Sequence, residues 1–202
     1  MLLPLLLVLL TFELTFAADS TQFGPERSRW QGTINTECRV WNPDPKANET
    51  LTWSGACVNG RAEGTGVVVA RFPENGAWKE ERYEGEMKNG KQHGQGTLYY
   101  AEGGLFTGLF VEDNPYSGRR EFPDGSRYEG TFLNNEFDGN GRYTYRDGSY
   151  YAGEFKRNLP NGNGALHLQG KQPISGHWTN GCLKEGNRWA VAGVSKQTCG
   201  LR

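Results

Sequence analysis

Residues 127–166, RYEGTFLNNEFDGNGRYTYRDGSYYAGEFKRNLPNGNGAL, state one pattern twice. Tyr128-Glu129-Gly130 returns as Tyr151-Ala152-Gly153, and Gly139-Asn140-Gly141 returns as Gly162-Asn163-Gly164, each 23 residues later. The aromatic-x-Gly pair extends back to Trp53-Gly55, Tyr83-Gly85 and Phe106-Gly108, and forward to a degenerate Ile174-Gly176. Its glycines are spaced by 30, 23, 22, 23 and 23 residues. A Gly-x-Gly follows nine residues on in four copies, at Gly64-Gly66, Gly94-Gly96, Gly139-Gly141 and Gly162-Gly164. The Phe106 copy keeps only Gly118, so a one-residue deletion accounts for its step of 22. Such a period marks stacked supersecondary units, each too small to bury its own apolar face.

Within a unit the apolar period is two, which is the period of strands. Tyr128, Gly130 and Phe132 share one face while Glu129, Thr131 and Leu133 take the other; Gly141, Tyr143 and Tyr145 oppose Arg142 and Thr144. Each unit is therefore expected to be a β-hairpin, and successive hairpins to pair edge to edge. Asp124-Gly125 and Asp147-Gly148 are expected to make the tight turns between units, with Asn59-Gly60 and Asn89-Gly90 opening a longer loop inside each. The aromatic of one unit is expected to lie over a glycine of its neighbour, where no Cβ intervenes.

The run Tyr-x-Gly-x-Phe, a turn, Gly-x-Gly and an Asp-Gly resembles the MORN (membrane occupation and recognition nexus) repeat. Tyr128 to Gly148 and Tyr151 to Gly170 carry the resemblance best, and it spans Trp53 to Gly181 as four good copies flanked by two degenerate ones. Two departures stand out: Cys57 occupies the place of Met87, Phe110, Phe132 and Phe155, and Arg120 interrupts the apolar face of the Phe106 copy. The resemblance implies an all-β fold, an elongated antiparallel single-sheet solenoid of hairpins serving as a scaffold or groove for a protein partner. Some members of the family are linked to membrane lipids or fused to a catalytic domain. Here the flanking segments, 18–52 and 182–202, are too short for such a domain and are expected to cap a 53–181 array.

The apolar run Leu2–Phe12, followed by small residues at Thr15, Ala17 and Ala18, reads as a signal peptide over residues 1–17. An uncleaved anchor is the competing reading, but the run is shorter than the roughly 20 residues a spanning helix needs. Without Glu13 the remaining chain is formally neutral, which favours neither nucleic acid nor an anionic membrane surface. A secreted or periplasmic location makes two disulfides the default for Cys38, Cys57, Cys182 and Cys199. Ten or more strands at about 4.8 Å each separate the ends of the array by about 45–55 Å, far beyond disulfide reach, so the expected pairs are local: Cys38 with Cys57 and Cys182 with Cys199. Asn48-Glu49-Thr50 is a sequon, used only where exports are glycosylated.

Signals of catalysis are sparse. His93, His167 and His177 lie in no nucleophile or metalloprotease motif, and the Gly-x-Gly pairs lack a phosphate-loop lysine and following helix. Asp138-Gly139-Asn140-Gly141 is a fragment of a calcium loop without its remaining carboxylates. If strand 164–168 pairs with 174–178, His167 and His177 become diagonal neighbours with Glu154 one strand away, the best candidates for a metal site; the leading expectation is none. The chain thus reads as a cofactor-free, non-enzymatic binding protein. A protein is the expected partner, with a glycan stacked on exposed rings as the alternative and an enzyme of unrecognised type as a third reading. The expected anchors are the rings repeated along one face: Tyr83, Phe106, Tyr128, Tyr151 and Trp178.

Overall fold

A computed structural model of the protein describes residues 29–201; the signal-peptide reading of residues 1–17 lies outside them. The regular structure of the described residues is strand, apart from a helical turn at Gln197–Cys199. Its strands are β1 (Trp30–Gly32), β2 (Arg39–Trp41), β3 (Thr50–Trp53), β4 (Ala56–Val58), β5 (Arg61–Glu74), β6 (Ala77–Lys88), β7 (Lys91–Tyr99) and β8 (Leu105–Val111). They continue as β9 (Asn114–Glu121), β10 (Arg127–Leu133), β11 (Glu136–Thr144), β12 (Tyr150–Lys156), β13 (Leu159–His167), β14 (Ile174–Thr179), β15 (Cys182–Glu185) and β16 (Arg188–Val191). From β5 to β16 each strand pairs with the next, giving one long, mostly antiparallel 16-stranded sheet in which β3 and β4 both pair with β5.

The turns are the reverse of the expectation. The tight two-residue turns lie inside the units: Lys88 pairs with Lys91 across Asn89-Gly90, and Leu133 with Glu136 across Asn134-Asn135. Both residues of these turns have positive φ, 51° and 79° in the first and 51° and 66° in the second, which is the mirror-image turn that twisted hairpins favour. The Asp-Gly pairs sit in five-residue connections between units, closed by Phe122 N–H on Ser126 O (2.9 Å) and Tyr145 N–H on Ser149 O (2.8 Å). The reason is local. Asp124 Oδ1 accepts from Ser126 N (2.9 Å) and Oγ (2.6 Å), and Asp147 binds Ser149 the same way, a side-chain turn needing only one left-handed residue.

The Gly-x-Gly explains itself in the register. Gly85 faces Gly96, yet the next residue, Glu86, faces His93; Gly130 faces Gly141, yet Phe132 faces Phe137. The second strand of each unit therefore bulges, with its first glycine left-handed (Gly94 φ 62°, Gly139 φ 80°). The second glycine is the floor under a ring, and the ring belongs to the same unit rather than its neighbour: a Cβ on Gly96 would meet Tyr83 Oη at 2.6 Å. The hydroxyl then ties down the bulge, Tyr83 Oη donating to Glu86 O (2.7 Å) and Tyr128 Oη to Thr131 O (3.0 Å). The Phe106 unit bears this out by exception. Its bulge is one residue shorter, Gly108 facing Gly118 and Phe110 facing Pro115, and its ring has no hydroxyl.

Rings on this face touch edge to face in an unbroken series, Tyr83–Phe110–Phe106–Phe132–Tyr128–Phe155–Tyr151–Trp178, with centroids 5.0–5.2 Å apart. Such contacts contribute about 0.5–1.5 kcal/mol each beyond burial, so each unit is held chiefly by the next. The turn ends are laced as well. Asn158 Oδ1 accepts from Phe137 N (2.8 Å) while its own N–H donates to Phe137 O (3.1 Å), and Asp113 binds Gln92 in the same two ways.

Each end of the array is closed by a disulfide. Cys38–Cys57 and Cys182–Cys199 span 5.6 and 5.7 Å between Cα atoms, the local pairing that sheet length requires. The β1–β2 hairpin lies across the first turns, Arg39 N–H on Gly60 O and Trp41 N–H on Gly90 O, with Arg61 4.3 Å above the Trp30 ring.

Candidate partner-binding groove

None of the five expected anchors reaches solvent. Tyr83 is 1% exposed and Phe106, Tyr128, Tyr151 and Trp178 are 0% exposed. Tyr83, Phe106, Tyr128 and Tyr151 each lie over a glycine pair, and Trp178 closes the ring series against Tyr151, so these five side chains are core and cannot touch a partner. Burial pushes the Tyr151 hydroxyl up to about 12, with the Glu154 carboxylate adding to the shift.

The rings that remain available form a second row on the same face. Tyr100, Phe122, Tyr143 and Tyr145 are half-buried and pack on the core at the end of the second strands. Phe122 and Tyr143 bring their centroids to 6.2 Å, and Tyr143 and Tyr145 to 4.9 Å. The pattern was present in the chain as an aromatic three residues before the connection glycine, in Tyr100-x-x-Gly103, Phe122-x-x-Gly125 and Tyr145-x-x-Gly148. It was masked by the stronger aromatic-x-Gly repeat.

Three rings of this row, Phe122, Tyr143 and Tyr145, wall a cavity of about 500 Å³ whose lining also includes Arg120, Phe137 and Leu159. A second cavity of about 270 Å³ lies beside it, between the 40–51 segment and β5–β7, and Asn135 lines both. Together they make a groove, a size and apolar character typical of ligand sites. Its two ends differ in charge. The smaller cavity is lined by the acidic Asp44, Glu49, Glu81 and Asp113 against the basic Lys46 and Arg82. Burial raises the Glu49, Glu81 and Asp113 carboxyls, Asp113 to about 7 against the hydrogen bond from Gln92 N–H and the Lys91 charge, which favour its ionised form. The larger cavity carries Arg120, with its guanidinium 3.9 Å from the Tyr100 centroid and 5.3 Å from that of Phe122. Burial pushes the Tyr145 hydroxyl up to about 12.

The histidine pair does not form. Leu166 faces Ile174 and Asn163 faces His177, because the 168–173 connection, closed by Lys171 N–H on Leu168 O (3.1 Å), consumes more residues than a tight turn. That register leaves His177 four residues along the sheet from His167, about 13 Å. His167 instead stacks on Tyr150 at 4.2 Å, with Arg142 3.6 Å over the other partner of that ring pair, and Glu154 Oε1 accepts from Asn163 N (2.8 Å), sealing its bulge as Glu86 does for Gln95. Among the described residues no three His, Cys, Asp or Glu side chains gather as metal ligands. Asn48 lies on an exposed turn with φ 56°, beside Glu49 at the rim of the smaller cavity.

Comparison with known families matches three segments, residues 83–105, 128–150 and 151–168, to the MORN repeat. Those three hairpins are similar to the MORN repeat. The MORN matches are the units with a full-length bulge and a tyrosine hydroxyl to tie it, and the unmatched segment between the first and second holds the short-bulge Phe106 hairpin. No curated protein matches the chain.

Proposed function

We propose that this MORN-repeat protein is a non-catalytic binding scaffold whose half-buried aromatic row receives a protein partner. The observation that carries the reading is the contrast between the two rows on one face: the inner rings are spent on packing, while Phe122, Tyr143 and Tyr145 line an open apolar cavity. Rings fixed by packing lose little entropy on binding, which is what makes aromatic anchors effective. The opposite face is charged and self-paired, as in Arg82–Glu84 and Arg119–Glu121, and such exposed pairs contribute little to association.

A glycan is less well matched to the cavity. Tyr143 Oη already donates to Ser126 Oγ (2.9 Å), and Asn158 is bound to Phe137 N–H and Glu136. A sugar would leave most of its hydroxyls without partners. The two disulfides are compatible with an oxidising compartment, and we place the protein outside the cytosol on that ground together with the apolar amino-terminal run.

The test is affinity isolation of the partner with paired variants. Phe122→Ala and Tyr145→Ala, shown to be folded by melting, are expected to lose the partner, whereas Tyr116→Ala on the outward face keeps it. Full retention by both groove variants would remove the groove reading.

A further inference from the structure

Arg120 stands on the apolar face, opposite Tyr128 on one side and Phe106 on the other, in a position that its sister units fill with apolar residues such as Tyr143 and Leu166. Its half-buried guanidinium lies against the Tyr100 and Phe122 rings and interacts with the Tyr100 hydroxyl, its Nε is buried without a hydrogen-bond acceptor, and among the described residues no carboxylate lies within 4 Å of it. The neighbouring Arg119, by contrast, faces outward and is paired with both Glu121 and Glu129. The acidic groups of the groove, Asp44, Glu49, Glu81 and Asp113, line the smaller cavity instead. The two rings offset part of the desolvation of this half-buried cation, and an arriving anion would add the counter-charge that the chain itself does not supply.

We infer that Arg120 is the specificity residue of the groove: it takes a carboxylate from an aspartate or glutamate of the partner, while a neighbouring large apolar residue of the same segment fills the cavity between Phe137, Tyr143 and Leu159. The inference rests on the groove being the protein-binding site and adds the chemistry of what enters it. Arginine suits the task because its planar fork matches a carboxylate in two hydrogen bonds and its faces remain free to stack on rings. That Arg120 is the one charged residue among the described lining of the larger cavity also explains why a peptide is favoured over an acidic glycan. One anionic group set in apolar surface is what the lining complements, whereas a uronate chain brings a charge and several hydroxyls with every ring.

The experiment selects 12-residue random peptides on the immobilised, disulfide-bonded protein and measures the affinity of the winners. The expected consensus pairs Asp or Glu with a nearby Leu, Met or aromatic residue. Arg120→Met, whose melting temperature serves as the folding check, is expected to weaken those peptides about 10- to 100-fold, the range for loss of a charged hydrogen bond, and to abolish the preference for the acid over its amide. Arg120→Lys is expected to retain part of both effects, so an unstable Met variant leaves the inference exposed to test. Peptides that compete at Phe122 and Tyr145 but carry no acid, or that bind Arg120→Met unchanged, would overturn the carboxylate assignment and leave the groove reading intact. Failure to select any peptide that depends on Phe122 or Tyr145 would overturn both. Saturable capture of polygalacturonate dependent on Arg120, without acidic peptides, would replace the peptide by a glycan.

Discussion

At the scale of single residues, glycine and tyrosine act as one unit of structure. A Cβ on Gly130 would stand 2.5 Å from Tyr128 Oη and 2.7 Å from the Cα of Gly141, and only the first of these contacts could yield. Gly130→Val is therefore expected to cost about 3 kcal/mol, the upper end for overpacking, while Glu129→Ala, exposed and paired only loosely with Arg119, stays within about 0.5 kcal/mol. Urea titration of the two variants separates them; equal midpoints would contradict ring-over-glycine packing. Asp113 offers a second residue-scale test. Its folded carboxyl titrates near 7, well above its ordinary value, so the charged form is penalised by folding. The stability it contributes is full below about pH 4 and is lost as pH rises through 7. Asp113→Asn, which reproduces the turn residue Asn158, is expected to match the parent at pH 4 and to exceed it by about 1–3 kcal/mol at pH 8. A difference that does not grow with pH would show that Asp113 is not buried in the way described.

At the scale of elements, the hairpin is a tight turn plus a tied bulge. The bulge carbonyl accepts from a hydroxyl held inside the core, so Tyr128→Phe is expected to cost about 1 kcal/mol with no change in fold. Thermal melting checks it, and an unchanged midpoint would mean the hydroxyl is replaceable by water. The hairpins and their apolar face were legible in the sequence because a period of two and a repeat of 23 residues leave little freedom for which side chains share a face. The turns were not, because Asp-Gly and Asn-Gly both accept positive φ and only the Ser two residues after Asp124 and Asp147 distinguishes them. The His167–His177 pairing failed for the same reason: a longer connection at 168–173 slides the strand, and every cross-strand neighbour with it. The local disulfides were legible from strand count alone. Removing one of them, in Cys182→Ser with Cys199→Ser, is expected to release up to about 3 kcal/mol at its own end under the loop-entropy account. Hydrogen exchange should quicken in β14–β16 and remain unchanged in β6–β10; uniform quickening would imply a single cooperative unit.

At the scale of the whole molecule, a sheet built by repetition must spend its regular aromatics on holding neighbours together. The positions free to serve a partner are those that the repeat specifies least: the residues ahead of the connections and the single interruption at Arg120. That is why the candidate site was largely hidden in the sequence, where periodicity draws attention to the buried series. The most direct measurement is site-specific photocrosslinking, with benzoylphenylalanine placed at Phe122 inside the groove and, separately, at Tyr116, which is 55% exposed on the outward face. The Phe122 probe is expected to yield one crosslinked protein partner and the Tyr116 probe none. A partner captured from Tyr116 and not from Phe122 would place binding on the polar face and contradict the account.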